Sequence, residues 1–369
     1  MSDRVKFIGQ ASSTSLGADL VINANGIDDP KFLVKALRIR HEITLSAITS
    51  GDLDETNVGT ALHQWIWRKT NRPFLNNISA RAIDIWAKAQ QLPAVTAYDV
   101  LTDQVAAITN PHIFDFIVPL ERKQAARPQD FCVALDEIGT LTVQLPATLA
   151  NLTGGTLSNW TVRVYAIGVD MPAGIYKAGS LVRIDELTSG SGNDVELKCY
   201  GNRVRSLNEY TIDTSGSPIT GEDQPRIEFD GVQKYDYRNL NGGDAALYAG
   251  QGWGAGLAYT SYVQAGATPQ QVTLNAPWIR PSVEQKIADM PQVNTLQMRY
   301  SSRLSDTTEA RYILETVYPD STGAMLRERV PGAENVADPN EITFRPGAAG
   351  SAEGASANLK AFLPVDVAV

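Results

Sequence analysis

Apolar and polar residues alternate at the start of each half of the chain. Between Leu37 and Leu45, leucine and isoleucine alternate with charged or polar residues, which is the period-two pattern of a strand with one buried face. Between Val195 and Tyr200, apolar residues again alternate with glutamate, lysine and tyrosine. Further short strands bounded by turn residues follow in both halves. The pattern predicts an all-β chain built as two β-sandwiches.

The chain is long enough for two hydrophobic cores, because its 369 residues exceed what one core usually serves. The alternation stops at Met171–Gly174, where a turn composition takes over. Residues 1–31 are polar and weakly patterned, and the end of the chain is rich in Pro, Gly, Ala and Ser. We therefore expect four segments. They are an N-terminal arm (1–31), a first sandwich (32–171), a second sandwich (172–345) and a flexible C-terminal tail (346–369).

Three segments depart from the strand pattern. Apolar residues recur at helical spacing between Tyr98 and Ile108, which predicts a helix. A short helix is expected from Val283 to Met290, after a proline. Residues 80–90 fit either a strand or a helix. The Gly-rich segment 239–256 is expected to be an exposed loop.

The composition is that of a soluble globular protein, with 43% hydrophobic and 20% charged residues, which excludes wholesale disorder. No apolar run approaches the ~20 residues needed to cross a bilayer. The start, Met1 to Gln10, lacks the apolar centre of a signal peptide. We expect synthesis and folding in a cytoplasm.

The charge balance argues against direct contact with nucleic acid. The formal net charge is -9, whereas affinity for a phosphate backbone grows with the number of Lys and Arg side chains placed against it. The N-terminal arm carries Arg4, Lys6 and Lys31 against four aspartates, so it is not a polybasic tail. If the protein surrounds nucleic acid, another component must touch it.

Cysteine and histidine usage favours structural roles. Cys132 and Cys199 both lie among apolar residues of predicted strands, so we expect two buried thiols, with one disulfide between the halves as the alternative. The three histidines, His41, His63 and His112, lie far apart in sequence. A zinc site would have to recruit distant carboxylates, so structural histidines are favoured.

Candidate catalytic and binding motifs are weak. Alternate glycines from Gly250 to Gly256 are followed by an expected strand rather than by the helix of a dinucleotide-binding loop. Asp136 with Glu137, and Asp185 with Glu186, are adjacent carboxylates. Adjacent strand residues point to opposite faces, so we expect solvated surface charge. The sequence predicts no catalytic, cofactor-binding or metal site.

Four segments of the first half have a recognisable order. They are Ala36–Arg40 (ALRIR), His112–Leu120 (HIFDFIVPL), Arg127–Phe131 (RPQDF) and Gly139–Pro146 (GTLTVQLP). In these segments the chain resembles the major capsid proteins of tailless icosahedral bacteriophages with an internal lipid membrane, the double jelly-roll lineage. The similarity covers most of the chain at the level of pattern and is strongest over residues 33–170.

The resemblance implies an all-β fold of two tandem eight-stranded jelly rolls, with short inserted helices and extended termini. It implies a non-enzymatic major capsid protein that self-assembles as pseudo-hexagonal homotrimers to form an icosahedral shell. The implied partners are neighbouring capsomers, minor capsid or penton proteins, and an internal lipid membrane near the termini, with no direct nucleic acid and no cofactor. The implied location is the virion, after synthesis in the host cytoplasm. We expect Ser2 to Asp29 and the C-terminal tail to become ordered only on assembly.

The main alternative is a carbohydrate-binding or adhesive β-sandwich protein, such as a phage fibre or lectin. Trp65 and Trp67 are two residues apart and share one strand face, and with Trp253 they would stack on sugars. A buried or interface strand face is the favoured reading of Trp65 and Trp67. A β-sandwich hydrolase is the third candidate, and it would need converging carboxylates that the sequence does not reveal.

Overall fold

The computed structural model describes most of the first half of the chain and separate stretches of the second. The described residues are 3–24, 27, 29–46, 58–89, 111–121, 131–149, 156–171, 175–177, 181–188, 194–213, 226–236, 257–260, 271–274, 279, 287–300, 308–320 and 325–327. Three expected features lie outside them: the helix at Tyr98–Ile108, the Gly-rich segment 239–256, which contains Trp253, and the tail 346–369.

The described part of the first half includes nine strands, the helix α1 and a 3-10 turn. The strands are β1 Arg4–Ser13, β2 Asp19–Asn23, β3 Phe32–Leu45, β4 Leu62–Trp67, β5 Pro73–Ser79, β6 His112–Pro119, β7 Val133–Ala134, β8 Ile138–Gln144 and β9 Leu157–Asp170. The helix α1 spans Ala80–Ala89 and the 3-10 turn spans Leu135–Glu137.

Eight of these strands form a jelly roll. They pair as a nested antiparallel ribbon: β1 with β9, β2 with β8, β3 with β6, and β4 with β5. Folding of this ribbon gives a first sheet in the order β1-β9-β3-β6 and a second sheet section in the order β5-β4-β8-β2. Two sheets of alternate strands from one eight-stranded ribbon define a jelly roll.

The expected N-terminal arm is wrong, because residues 4–23 supply two strands of this roll. Nine positions of β1 pair with β9, and all of β2 pairs with β8. Both are edge strands that contribute few core side chains, chiefly Ile8, Leu20 and Ile22, so their sequence is polar. The arm therefore does not wait for assembly to become ordered.

The core of the first roll lies between its two sheets. Strands β3, β9 and β6 send alternate residues inward, and β4, β5 and β8 send theirs to meet them. The largest fully buried side chains here include Trp65, Trp67, Trp160, Phe114 and Phe116. The inward alternation predicted for Leu37 to Leu45, in β3, is confirmed.

The strands of the second half again pair as nested antiparallel partners, and six of them lie side by side in one sheet. Its strands are β10 Ile175–Lys177, β11 Val182–Thr188, β12 Asp194–Asp213, β13 Arg226–Phe229, β14 Val232–Asp236, β15 Leu257–Thr260, β16 Gln271–Leu274, β17 Gln292–Arg299, β18 Thr308–Val317 and β19 Met325–Arg327. The nested pairs are β10 with β19, β11 with β18, β12 with β17, and β13 with β14. The prediction of an all-β chain with two tandem eight-stranded jelly rolls is confirmed.

The helix α1 settles the segment that the sequence left open. Ser79 caps it, since its Oγ accepts a hydrogen bond from the backbone N–H of Ala82 at 3.1 Å. Side chains from Ala80 to Ala87 are all buried, including Arg81 and Asp84, so burial along this stretch does not follow the helical period. The short helix expected at 283–290 is, within the described residues, a 3-10 turn at Ile287–Asp289. In the described part of the chain, no helix has the length and apolar character to traverse a bilayer.

Candidate assembly surface and junction between the two rolls

The two rolls are joined by one continuous sheet. Strand β5 of the first roll pairs in parallel with β11 of the second, with Leu75 opposite Ile184 and Asn76 opposite Asp185. The Asn76 amide donates to the Asp185 carboxylate at 2.6 Å. Through this pairing, ten strands run side by side from β14 of the second roll to β2 of the first.

Side chains also cross the junction. The indole Nε1 of Trp67 donates to the carbonyl of Val182 at 2.9 Å, and the Tyr318 hydroxyl donates to the carbonyl of Pro73 at 2.8 Å. A single hydrophobic cluster includes residues from both halves. The two rolls thus share a sheet and part of a core, and the second roll buries a further hydrophobic cluster of its own. The expected boundary between the two rolls, after residue 171, stays a prediction.

A buried ion pair lies under α1 at this junction. Arg205 Nη1 lies 2.7 Å from Glu315 Oε2, and both side chains are 0% exposed. Ser206 and Trp86 donate to the same carboxylate oxygen, at 3.2 and 3.4 Å. The Arg205 guanidinium lies 4.9 Å from the ring centroid of Phe131. Charges removed from water in this way require their partners, so the pair fixes how α1 and Phe131 sit on the second roll.

Asp136 and Glu137 are not solvated surface charges, as the sequence had suggested. They lie on the 3-10 turn before β8 and are almost fully buried. Both carboxylates contact Lys69 Nζ at 2.9 Å. Burial lowers the pKa of Lys69, but the two carboxylates outweigh it and leave that pKa raised. A strand would point these adjacent side chains to opposite faces, whereas the 3-10 turn lets both carboxylates bind Lys69.

Asp185 and Glu186 are likewise buried rather than solvated, but they do not share a partner. Asp185 accepts two hydrogen bonds from Arg183 at 2.8 Å. Glu186 accepts from Arg311 at 3.0 Å and from the Tyr210 hydroxyl. Their partners differ, and both acids serve the packing of β11 on its neighbours.

The cysteines are free and buried, which confirms the thiol prediction and excludes the disulfide. They belong to different hydrophobic clusters. Burial raises the pKa of Cys199 to about 12. Within the described residues, no group of three or more His, Cys, Asp and Glu side chains is placed to hold a metal ion.

The tryptophan platform is not available to a sugar. Trp65 and Trp67 are 1% and 0% exposed, and both point into the first roll. The indole Nε1 of Trp65 donates to the carbonyl of Gly139 at 3.1 Å. The interior reading of this strand face is confirmed.

The first sheet has an outer face, which we define as the outward side chains of β1, β9, β3 and β6. Three rows of these side chains cross the sheet. The rows are Phe7–Tyr165–Arg38–Ile117, Gln10–Arg163–Arg40–Asp115 and Ser12–Thr161–Glu42–Ile113.

Paired charges lie at the centre of the outer face. Arg38 and Arg40 each place two nitrogens against the carboxylate of Asp115, at 2.5 to 3.1 Å. Arg163 lies 3.3 Å from Glu42. Burial raises the pKa of Asp115, but the hydrogen bonds and charges of the two arginines outweigh it, so that pKa is lowered. The carboxylate stays charged and its arginines stay paired at neutral pH.

Apolar side chains flank these charges. Val5 and Phe7 on β1 are 62% and 54% exposed, and they are among the most exposed large apolar residues of the described chain. The Phe7 ring meets Tyr165 edge to face, with centroids 5.6 Å apart. Ile167 lies opposite Val5 on β9. The outer face therefore combines an apolar end with a charged centre in which three arginines bind two carboxylates.

No protein-family model matches the chain, and no curated protein matches its sequence. Among solved structures it is similar to the major capsid protein P2 from bacteriophage PM2, with 10% identity and a TM-score of 0.42, covering 87% of this chain and 100% of that one. It is similar to the STIV MCP, with 11% identity and a TM-score of 0.47, covering 86% and 98%. It is also similar to the mavirus major capsid protein, with 11% identity and a TM-score of 0.38, covering 88% and 90%.

These similar structures are viral major capsid proteins, the class that the sequence motifs resemble. The alternation in β3 placed Arg38 and Arg40 on the polar side of the strand. It could not place Asp115, which reaches them from a strand about 75 residues away.

Proposed function

We propose that the chain is a major capsid protein, which self-assembles as pseudo-hexagonal homotrimers into an icosahedral shell. The observation that carries the proposal is the junction: two jelly rolls of one chain share a continuous sheet and a hydrophobic cluster. Three copies of such a block place six similar bodies around a ring, which is the outline of a hexagonal tile.

Jelly rolls also occur in lectins and cupins, so the fold alone does not select the function. The described interior favours the capsid reading. Trp65 and Trp67 fill the core instead of a sugar site. The acids Asp136, Glu137 and Glu186 bind lysine, arginine and tyrosine side chains that hold strands together. These contacts support a building block rather than a catalyst.

The same proposal names the partners and the location. Neighbouring capsomers and minor capsid or penton proteins would border each trimer, and an internal lipid membrane would lie near the termini. The arginines of the outer face are already paired with Asp115 and Glu42, and the net charge is -9, which supports the absence of direct nucleic-acid contact. The protein would be made in the host cytoplasm and would reside in the virion.

Size-exclusion chromatography with light scattering, followed by negative-stain electron microscopy, tests the proposal. We expect trimers that associate into sheets or shells. A small oligomer that stays small under assembly conditions and binds immobilised glycans would favour the lectin alternative instead.

A further inference from the structure

We propose that the outer face of the first sheet is the surface on which a second copy of this chain docks. The inference rests on the proposed function, because a shell built from one protein surrounds each copy with others of its own kind. The proposal adds which surface is covered and which side chains carry the contact.

The composition of the outer face fits a protein interface. Stable interfaces are enriched in aromatic residues and arginine and depleted in lysine. The three rows contain three arginines, one phenylalanine, one tyrosine and two isoleucines, and no lysine. Val5, an exposed apolar residue at the β1 edge, extends the apolar area beyond the first row.

The size of the outer face also fits. Four strands spaced by about 4.8 Å give a width of about 19 Å, and strands of 8 to 14 residues give a mean length of about 39 Å. The product is roughly 700 Å², close to the ~800 Å² that each partner contributes to a standard stable interface.

The charged side chains at the centre of the outer face favour a protein as the partner. Arg38 and Arg40 are fully engaged with Asp115, so they offer little to a phosphate backbone or an anionic headgroup. Both guanidinium groups already bind the Asp115 carboxylate, which lowers the cost of burying them under a docking protein. The three arginines and two carboxylates of the rows leave one net positive charge for the partner to balance. This arrangement suits a protein surface, and a second copy is the protein that the proposed shell supplies.

Phe7→Glu tests the docking surface by placing a charge on its most exposed aromatic side chain. Tyr200→Glu is the matched control, since Tyr200 is 64% exposed and lies on the second roll. Sedimentation velocity over a concentration series measures self-association, and thermal unfolding checks that each variant folds. We expect Phe7→Glu to weaken self-association at least tenfold, and Tyr200→Glu to leave it within about twofold.

Two further results distinguish a failure of the docking surface from a failure of the proposed function. If the wild type self-associates and a folded Phe7→Glu variant self-associates equally well, the docking surface is overturned and the proposed function stands. A wild type that does not associate at all would contradict the proposed function itself. If Phe7→Glu does not fold, Val5→Glu replaces it, because Val5 is the more exposed side chain of the same strand.

Photo-crosslinking gives an independent readout. With p-benzoylphenylalanine in place of Tyr165, assembled protein should yield chain-to-chain crosslinks after irradiation. Crosslinks confined to the same chain, to lipid or to an added glycan would overturn the proposal.

Discussion

Nε2 of His41 lies 3.2 Å from Nε2 of His63, and the two imidazoles join the two sheets of the first roll. The indole Nε1 of Trp160 donates to Nδ1 of His41 at 3.1 Å. Because Nδ1 accepts, a neutral His41 carries its proton on Nε2 and donates it to His63, which must then hold its own proton on Nδ1. Each tautomer is fixed by the neighbouring hydrogen bond. Protonation of either imidazole would place a proton on a nitrogen that already accepts a hydrogen bond.

We predict that this histidine pair makes the protein less stable in mild acid. Burial lowers the pKa of His63 to about 4, against an opposing effect of backbone hydrogen bonds and Glu186, and burial also lowers the pKa of His41 well below 6.5. Both groups bind protons more readily when unfolded. Stability is therefore full above pH 6.5 and falls as the pH drops from 6.5 toward 4, by about 3 kcal/mol for His63 alone. Urea unfolding at several pH values measures the slope.

His63→Gln is the matched control for the acid effect. A glutamine oxygen can still accept the Nε2 proton of His41, but it does not titrate. The loss of stability between pH 6.5 and 4.5 should be smaller in this variant. The same pH slope in both proteins would show that other groups cause the acid sensitivity.

The buried ion pair at the junction predicts a non-additive pair of substitutions. Arg205→Met leaves Glu315 without its cation in the interior, and we expect a loss of about 3–5 kcal/mol in the free energy of unfolding. Adding Glu315→Gln removes the stranded charge while keeping an acceptor for Ser206 and Trp86. The double variant should be more stable than Arg205→Met alone. Denaturant titrations measure the free energy of unfolding of both variants, and a double variant no more stable than Arg205→Met would contradict the importance of the pair.

Gly168 allows β9 and β3 to approach closely. A Cβ at this position would lie 2.0 Å from the carbonyl oxygen of Leu33, which is backbone and cannot turn aside. We predict that Gly168→Ala costs about 3 kcal/mol of stability. Gly9→Ala is the control, because its Cβ would meet the Cγ2 methyl of the Ile22 side chain, at 2.9 Å, and no backbone atom. Equal melting temperatures for the two variants would contradict the close approach.

The two cysteine thiols should not react with thiol reagents in the folded protein. Cys132 and Cys199 are both 0% exposed, and the thiolate that reacts is further disfavoured by the raised pKa of Cys199. A chromogenic thiol reagent at pH 8 should detect almost no reactive thiol in the native protein and two in denaturant. A single rapidly reacting thiol under native conditions would mean that one of the cores opens.

Alternation along the sequence was sufficient for strands whose two faces differ strongly. Residues 37–45 and 112–118 each present a continuous apolar side, and both are strands of the first sheet. The edge strands were missed because a strand at the rim buries only one or two side chains, as Ile8 does in β1. Helix α1 was ambiguous for the opposite reason, since all of its side chains from Ala80 to Ala87 are buried.

Partnerships between distant residues could not be predicted from one sequence. His41 and His63 are 22 residues apart and meet because their strands belong to facing sheets, which alternation does not reveal. Asp136 and Glu137 were misread because a 3-10 turn, and not a strand, carries them. The outer face became visible only when the register placed Phe7 beside Tyr165 and Asp115 beside Arg40.

Cryo-electron microscopy of particles assembled from the purified chain tests the central claim most directly. The account predicts a closed or sheet-like lattice of trimers, in which each chain contributes two upright jelly rolls to a six-bodied tile. A reconstruction that shows isolated single chains, or an assembly whose repeating body contains only one roll, would contradict it.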